Sequence, residues 1–207
     1  MLRECLEDPQ VEAVLSVGRR DSGLTHLKLT ELVVPDLFAL SEHSGEFLGY
    51  DACFYCLGVS SSGMSEPDYH RLTYDLTFAI LDVVCAGSPD VTVCFVSGQG
   101  SDGTGSGRVM WARVKGQAEN EVLRRDSEAF VFRPGIIQPL KGTRSKTSLY
   151  HAFYVVMTPI FPLLKRFFPG YVTTTVMLGR AMSRAASAGY VKPVLETRDI
   201  NALGGTV

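Results

Sequence analysis

Ser97 and Lys115 are the residues of this sequence whose types and placement most clearly invite chemistry. The stretch FVSGQGSDGTGSGRVMWARVKGQAENEV, residues 95–122, leaves a β-like run at Ser97, crosses a glycine-rich loop and enters a helix-patterned segment that carries Lys115. A serine hydroxyl at a strand exit both donates and accepts hydrogen bonds, and a lysine ammonium holds hydroxyls or anions as a point charge. Arg19 and Arg20 follow another apolar run, and a guanidinium fork suits a phosphate dianion. Cys56, Leu57 and Gly58 leave a third run, where Gly58 lets the backbone approach a ligand closely. Asp36 follows a fourth run, and Phe132, Arg133, Pro134 and Gly135 (FRPG) close a fifth. Each has an ordinary alternative: solvated arginines, a turn aspartate after Pro35, a tight strand exit, a surface helical lysine.

These positions depend on an alternation of strand and helix patterns. Residues 11–18, 28–37, 50–58, 90–98 and 127–135 read as strands, being apolar runs stopped by Gly or Pro. Residues 68–87 and 110–125 carry apolar residues at helical spacing. MLRECLEDP also reads as a helix, with Leu2, Cys5 and Leu6 on one face and Pro9 at its end. Continuous apolar strands alternating with helices predict a doubly wound parallel α/β sheet, in which ligands bind beyond the carboxyl ends of the strands. The chain is expected to form a single domain over 1–207, with the alternating strands and helices at 1–140 and a smaller helical part at 141–207.

Composition narrows the function. The chain has 207 residues, 45% hydrophobic and 20% charged, with a net charge of -2, an ordinary globular balance that offers no basic face for nucleic acid. Its five cysteines are scattered and odd in number, which points to reduced thiols and a cytoplasmic location. Cys53 and Cys56 form C-x-x-C, but on a strand an offset of three places them on opposite faces, and no second pair or histidine cluster joins them, so no metal site is expected. The most membrane-like segment, residues 149–164, is broken by Pro159 and Pro162 and falls short of a span. It reads as a buried or lid helix, with a peripheral membrane contact through 149–168 as the second reading because of its basic flanks.

The order and spacing of SVGRR, PDLFAL, YDACFYCLG, VSGQGSD, VKGQAE and FRPG resemble the atypical short-chain dehydrogenase/reductase superfamily. The likeness is to its epimerase-like branch, which includes the Tat-interacting-protein oxidoreductases. It covers about residues 1–140 and is looser beyond them. The resemblance implies an NAD(P)-binding Rossmann fold, with 1–140 as the nucleotide-binding core and 141–207 as substrate-side or lid helices, and hydride transfer with a small carbonyl-type substrate. It assigns Arg19 and Arg20 to the 2'-phosphate, favouring NADP(H) over NAD(H), Asp36 to the adenine, and Cys56, Leu57 and Gly58 to close backbone approach. Ser97 would orient substrate, unless Gly98 is the matching position. Lys115 would hold the nicotinamide ribose, and Arg133, Pro134 and Gly135 would lie beside the nicotinamide.

Two departures stand out. The family's tyrosine falls four residues before Lys115, where this chain has Trp111, whose indole N–H only donates and cannot cycle a proton. Tyr74, Tyr150 and Tyr154 stand as substitutes, with substrate-assisted transfer and a non-catalytic, redox-sensing dinucleotide module as the other readings. The family also opens with a strand and a glycine-rich pyrophosphate turn that are absent here, so a reading frame begun at an internal methionine is expected. In the last third, Arg144, Lys146 and Thr173, Thr174 and Thr175 are candidates to meet a polar substrate, a threonine caps a helix running toward Gly189, and NALGGTV reads as a frayed tail.

Overall fold

The computed structural model describes residues 1–125, 127–140 and 170–205. Helix α1 (Leu2–Glu7) leads into parallel strands β1 (Val14–Gly18) and β2 (Leu29–Val33). Tight 3-10 turns over Leu37–Phe47 follow, then β3 (Ala52–Tyr55). Next come α2 (Glu66–His70), one π turn (Arg71–Asp75), α3 (Leu76–Gly87), β4 (Thr92–Val96), α4 (Met110–Arg124) and β5 (Ala129–Arg133). Strand β6 (Ile136–Gln138) pairs with β7 (Val172–Thr174), and α5 (Thr175–Ala188), β8 (Val194–Glu196) and α6 (Thr197–Gly205) complete the order.

Four strands form one parallel sheet in the order β3-β4-β5-β8, and β1 and β2 form a second parallel pair. The doubly wound α/β expectation holds, with helices over both faces. One core joins Leu37, Leu40 and Phe47 of the 3-10 turns to Phe78, Leu81 and Val84 of α3 and to Val93, Phe95 and Val131 of the sheet. The other joins Cys94, Phe130 and Phe132 to Leu178, Met182 and Ala185 of α5 and to Ile200 of α6. The central strands are therefore apolar on both sides, which is why TVCFV and AFVFR show no alternation.

Two expectations need correction. The run 28–37 does not stay extended: β2 stops at Val33, and Asp36 caps the 3-10 turns by accepting from the Phe38 N–H at 3.0 Å. Nor does the tail fray before Gly205. Residues 197–205 form α6, in which Ile200 is fully buried. Gly204 lies so close to α5 that an added Cβ would sit 2.1 Å from the Met177 carbonyl oxygen. Strand β8 pairs with β5, so residues 194–196 extend the main sheet. Among the described residues no helix is long and apolar enough to cross a membrane. The segment 149–168, with Tyr150 and Tyr154, lies outside the described residues, as do Arg144 and Lys146 before it.

Candidate functional site

The exits of β4 and β5 are tied together. The Ser97 N–H donates to the Phe132 carbonyl at 2.8 Å and the Gln99 N–H to the Pro134 carbonyl at 3.0 Å. Past β5, the Gly135 N–H donates to Thr197 Oγ1 at 2.9 Å, and an added Cβ on Gly135 would lie 2.4 Å from the Tyr171 carbonyl oxygen. Glycine is required there by close packing. At the exits of β3 and β4, by contrast, a Cβ on Gly58 or Gly98 would meet nothing within 4 Å. That leaves open backbone at the carboxyl end of the sheet, where a doubly wound fold takes its ligand.

Ser97 is 8% exposed, and its Oγ lies 3.0 Å from Ser101 Oγ. Ser101 Oγ donates to the Gly98 carbonyl at 2.8 Å. A hydroxyl has one proton, so Ser101 spends its own on Gly98 and Ser97 is the donor between the two. Ser97 then offers lone pairs outward and acts as an acceptor. Ser101, which sequence reasoning passed over as part of the glycine-rich loop, therefore sets the polarity of Ser97.

Lys115 projects from α4, with Nζ 5.9 Å from the centre of the Phe95 ring. Burial pushes its ammonium below the usual lysine range, and Glu119, one turn on, opposes that shift. It is thus a half-buried cation beside β4, which ends just before Ser97. Helix α4 is pressed onto the glycine-rich loop: a Cβ on Gly116 would lie 2.0 Å from the Asp102 carbonyl oxygen, and the Asp102 N–H donates to the Ala112 carbonyl at 2.9 Å. The Asp102 carboxylate folds that loop by accepting from the Thr104 N–H at 2.9 Å and the Gly107 N–H at 2.7 Å. The Thr104 hydroxyl, which donates to the same carboxylate at 2.6 Å, and then the Gly107 and Thr104 N–H groups hold its pKa below the usual carboxylate range. The loop is ordered by its own hydrogen bonds and by α4.

The remaining sequence candidates divide. Arg19 and Arg20 are exposed just beyond β1. Asp36 is exposed and acts as the helix cap described above. Cys56, Leu57 and Gly58 are exposed past β3. Arg133 turns inward: its guanidinium grips Glu119 and reaches Glu196 at 3.2 Å, so this loop offers a ligand its backbone around Pro134 and Gly135. Tyr74 is held between His70 and Phe78, with ring centres 4.7 and 4.6 Å away, and its charged neighbours Glu121 and Arg124 lie about two turns past Lys115 along α4. Trp111 lies on the first turn of α4 against Gly100, 3.5 Å from where a Cβ would stand.

The threonines serve the fold. Thr174 caps α5 by accepting from the Met177 N–H at 3.1 Å, as a threonine cap there was expected to do. Thr175 accepts from the Leu140 N–H at 3.1 Å, and Thr173 is fully buried. The five cysteines are free thiols.

No family model matches the chain, and no curated protein matches it. Solved structures do. A short-chain dehydrogenase/reductase from Saccharomyces cerevisiae is 12% identical, with TM-score 0.64 over 97% of this chain and 94% of that one. The ADP-L-glycero-D-manno-heptose-6-epimerase of Helicobacter pylori is 14% identical, with TM-score 0.58 over 91% and 70%. RMD from Pseudomonas aeruginosa, solved with NADPH, is 16% identical, with TM-score 0.56 over 87% and 74%. The likeness is one of fold, and the chain has the Rossmann-like fold that these dehydrogenases and epimerases share.

Proposed function

We propose that this chain is an NAD(P)-binding protein of the oxidoreductase or epimerase-like kind, acting on a small carbonyl-type substrate with NADP(H) favoured over NAD(H). The observation that carries the proposal is the placement of acceptor-poised Ser97 and half-buried Lys115 beside one another's elements at the carboxyl end of a parallel sheet. The open backbone at Gly58 and Gly98 suits an extended ligand laid across the strand exits. A bound NAD(P)H would supply the hydride. Lys115 would donate to ribose hydroxyls, Ser97 would accept from a substrate hydroxyl, and Arg19 and Arg20 would pair with a 2'-phosphate. That such a cofactor is held by proteins of this fold is supported by the NADPH in the Pseudomonas aeruginosa structure.

The test is calorimetry of the chain with NADPH and with NADH. Saturable heat, tighter for NADPH, is expected, with affinity falling at least tenfold in Lys115→Met. Absence of heat with either nucleotide overturns the proposal.

Trp111 favours a second reading, a dinucleotide-binding module without turnover, because indole cannot exchange a proton near neutral pH. A panel of aldehydes and quinones separates the two. NADPH binding without oxidation by any of them supports the module, and turnover rules it out.

A further inference from the structure

Strands β1 and β2 lie side by side and parallel, so the chain must leave the end of one and return to the start of the other. Residues 19–28 make that return in ten residues without a helix. Parallel neighbours ordinarily take a dozen or more, with a helix to set the course. Here hydrogen bonds take the helix's place. The Val34 N–H donates to the Gly18 carbonyl at 2.9 Å, which fixes the end of β1. The chain then bends at Arg19 and Arg20, sharply enough that an added Cβ on Gly18 would lie 3.4 Å from the Arg20 carbonyl oxygen.

Glu31 supplies the next tie. Leu32 packs against the core, so Glu31 beside it on β2 faces the opposite side of the strand pair. From there its Oε1 accepts from the Ser22 N–H at 2.7 Å. The Ser22 hydroxyl and then this N–H hold the Glu31 carboxyl below the usual carboxylate range. Ser22 Oγ accepts in turn from the Leu24 N–H at 3.2 Å. Among the described residues no other hydrogen bond joins residues 19–24 to either strand.

Charge gives the tie its point. Arg19 and Arg20 are exposed and, among the described residues, have no ion-pair partner. A carboxylate free to reach them would compete with any phosphate they hold, because both anions fit the same guanidinium fork. Glu31 is instead turned onto Ser22, two residues past Arg20. The carboxylate nearest the bend thus shapes it and leaves both guanidinium groups unpaired.

We propose that Glu31 is a positioning residue for nucleotide choice: by holding Ser22 it keeps the bend at Arg19 and Arg20 on one course, ready to meet a 2'-phosphate. The role rests on the dinucleotide reading above, in which these arginines take that phosphate. A bend that is already ordered loses less freedom on binding, so the clasp adds to affinity for the phosphorylated nucleotide. NADH carries a hydroxyl in place of that phosphate and draws no benefit from it.

The test uses the full chain with Glu31→Ala, which removes the clasp, and with Glu31→Gln, which keeps one oxygen for the Ser22 N–H. Calorimetry gives the affinity of each for NADPH and for NADH. The preference for NADPH should fall by about fivefold or more in Glu31→Ala, with NADH affinity within about twofold of the parent. It should fall less in Glu31→Gln. Before nucleotide is added, the Ser22 amide should exchange about tenfold faster in Glu31→Ala, read by NMR. A rise in NADPH affinity in both variants would mean that the carboxylate only repels the phosphate, and overturns the proposal. Equal weakening of both nucleotides overturns it too, as does an unchanged preference or unchanged Ser22 exchange. A parent that binds neither nucleotide overturns the dinucleotide reading itself, and one that binds both alike overturns the 2'-phosphate assignment; the role of Glu31 falls with either.

Discussion

The guanidinium of Arg133, at the end of β5, embraces the carboxylate of Glu119 on α4: Nε lies 3.1 and 3.0 Å from the two oxygens, and a second nitrogen closes the fork. Glu119 is 1% exposed, while the Arg133 side chain is 22% exposed and also reaches Glu196. The pair fixes α4, and hence Lys115, against β5, whose exit borders the candidate site. The two ends are unequal. Arg133→Met leaves a buried carboxylate without its partner and is expected to lower stability by about 3–5 kcal/mol. Glu119→Gln leaves a partly solvated guanidinium that keeps Glu196, and should cost clearly less. Urea unfolding of the two variants measures the asymmetry, and equal losses would contradict it.

Lys115 gives a linkage prediction. Its folded-state pKa lies below the ordinary lysine value of 10.5 because burial penalises the ammonium. At neutral pH the folded protein therefore carries a charge that the unfolded chain holds more favourably. Between the depressed folded value and 10.5 the unfolded state binds more protons, so stability from this group rises with pH across that window. Lys115→Met should unfold at a higher temperature than the parent at pH 7, and the difference should narrow as the pH climbs toward 10. The same variant should lose nucleotide affinity. A gain in stability at the expense of binding is what a residue kept for a ligand predicts.

How much of this was legible beforehand depends on the range of the interaction. Strands β1, β4 and β5 announce themselves because VLSVG, TVCFV and AFVFR are apolar without a break. Ser97 and Lys115 could be found because one strand exit and one helix are close in sequence. The 3-10 turns at 37–47 were hidden by the polar run Ser41–Glu46, even though Leu37, Leu40 and Phe47 are all buried. Helix α6 was hidden by Gly204 and Gly205, which suggest fraying; the packing against Met177 that requires Gly204 is a tertiary fact. Glu119 looked like one charge among several on a solvated helix. A signal was present, since it shares an inward face with Ala112 and Gly116 and stands one turn from Lys115, but its partner Arg133 comes from another element.

Two glycines separate packing from ligand approach. Gly116→Ala drives a Cβ to 2.0 Å from backbone of the glycine-rich loop, so helix and loop must part. A loss of about 1–3 kcal/mol or more is expected. Gly58→Ala meets nothing within 4 Å and lies on exposed backbone past β3. It should leave the unfolding midpoint nearly unchanged while weakening NADPH binding, because the new methyl occupies the side from which a ligand would approach. Thermal unfolding and calorimetry on both variants check the contrast. A Gly58→Ala protein that binds as the parent does would remove this strand exit from the site.

Trp111 is the single tryptophan of the chain and lies four residues before Lys115 on the same helix. Its emission therefore reports on the site without labelling. NADPH should quench it saturably in the parent chain, and the quenching should weaken in Lys115→Met. The substitution Trp111→Tyr places a phenol, which can give and take a proton, where indole can only donate. A positioned acid–base group is worth about a hundredfold or more in rate. Trp111→Tyr should accordingly oxidise NADPH with a small aldehyde at least a hundredfold faster than the parent, with Ser97→Ala added to the variant cancelling most of the gain. If quenching is seen but Trp111→Tyr is no faster than the parent, the site holds nucleotide without being built for turnover, and the module reading stands in place of the oxidoreductase.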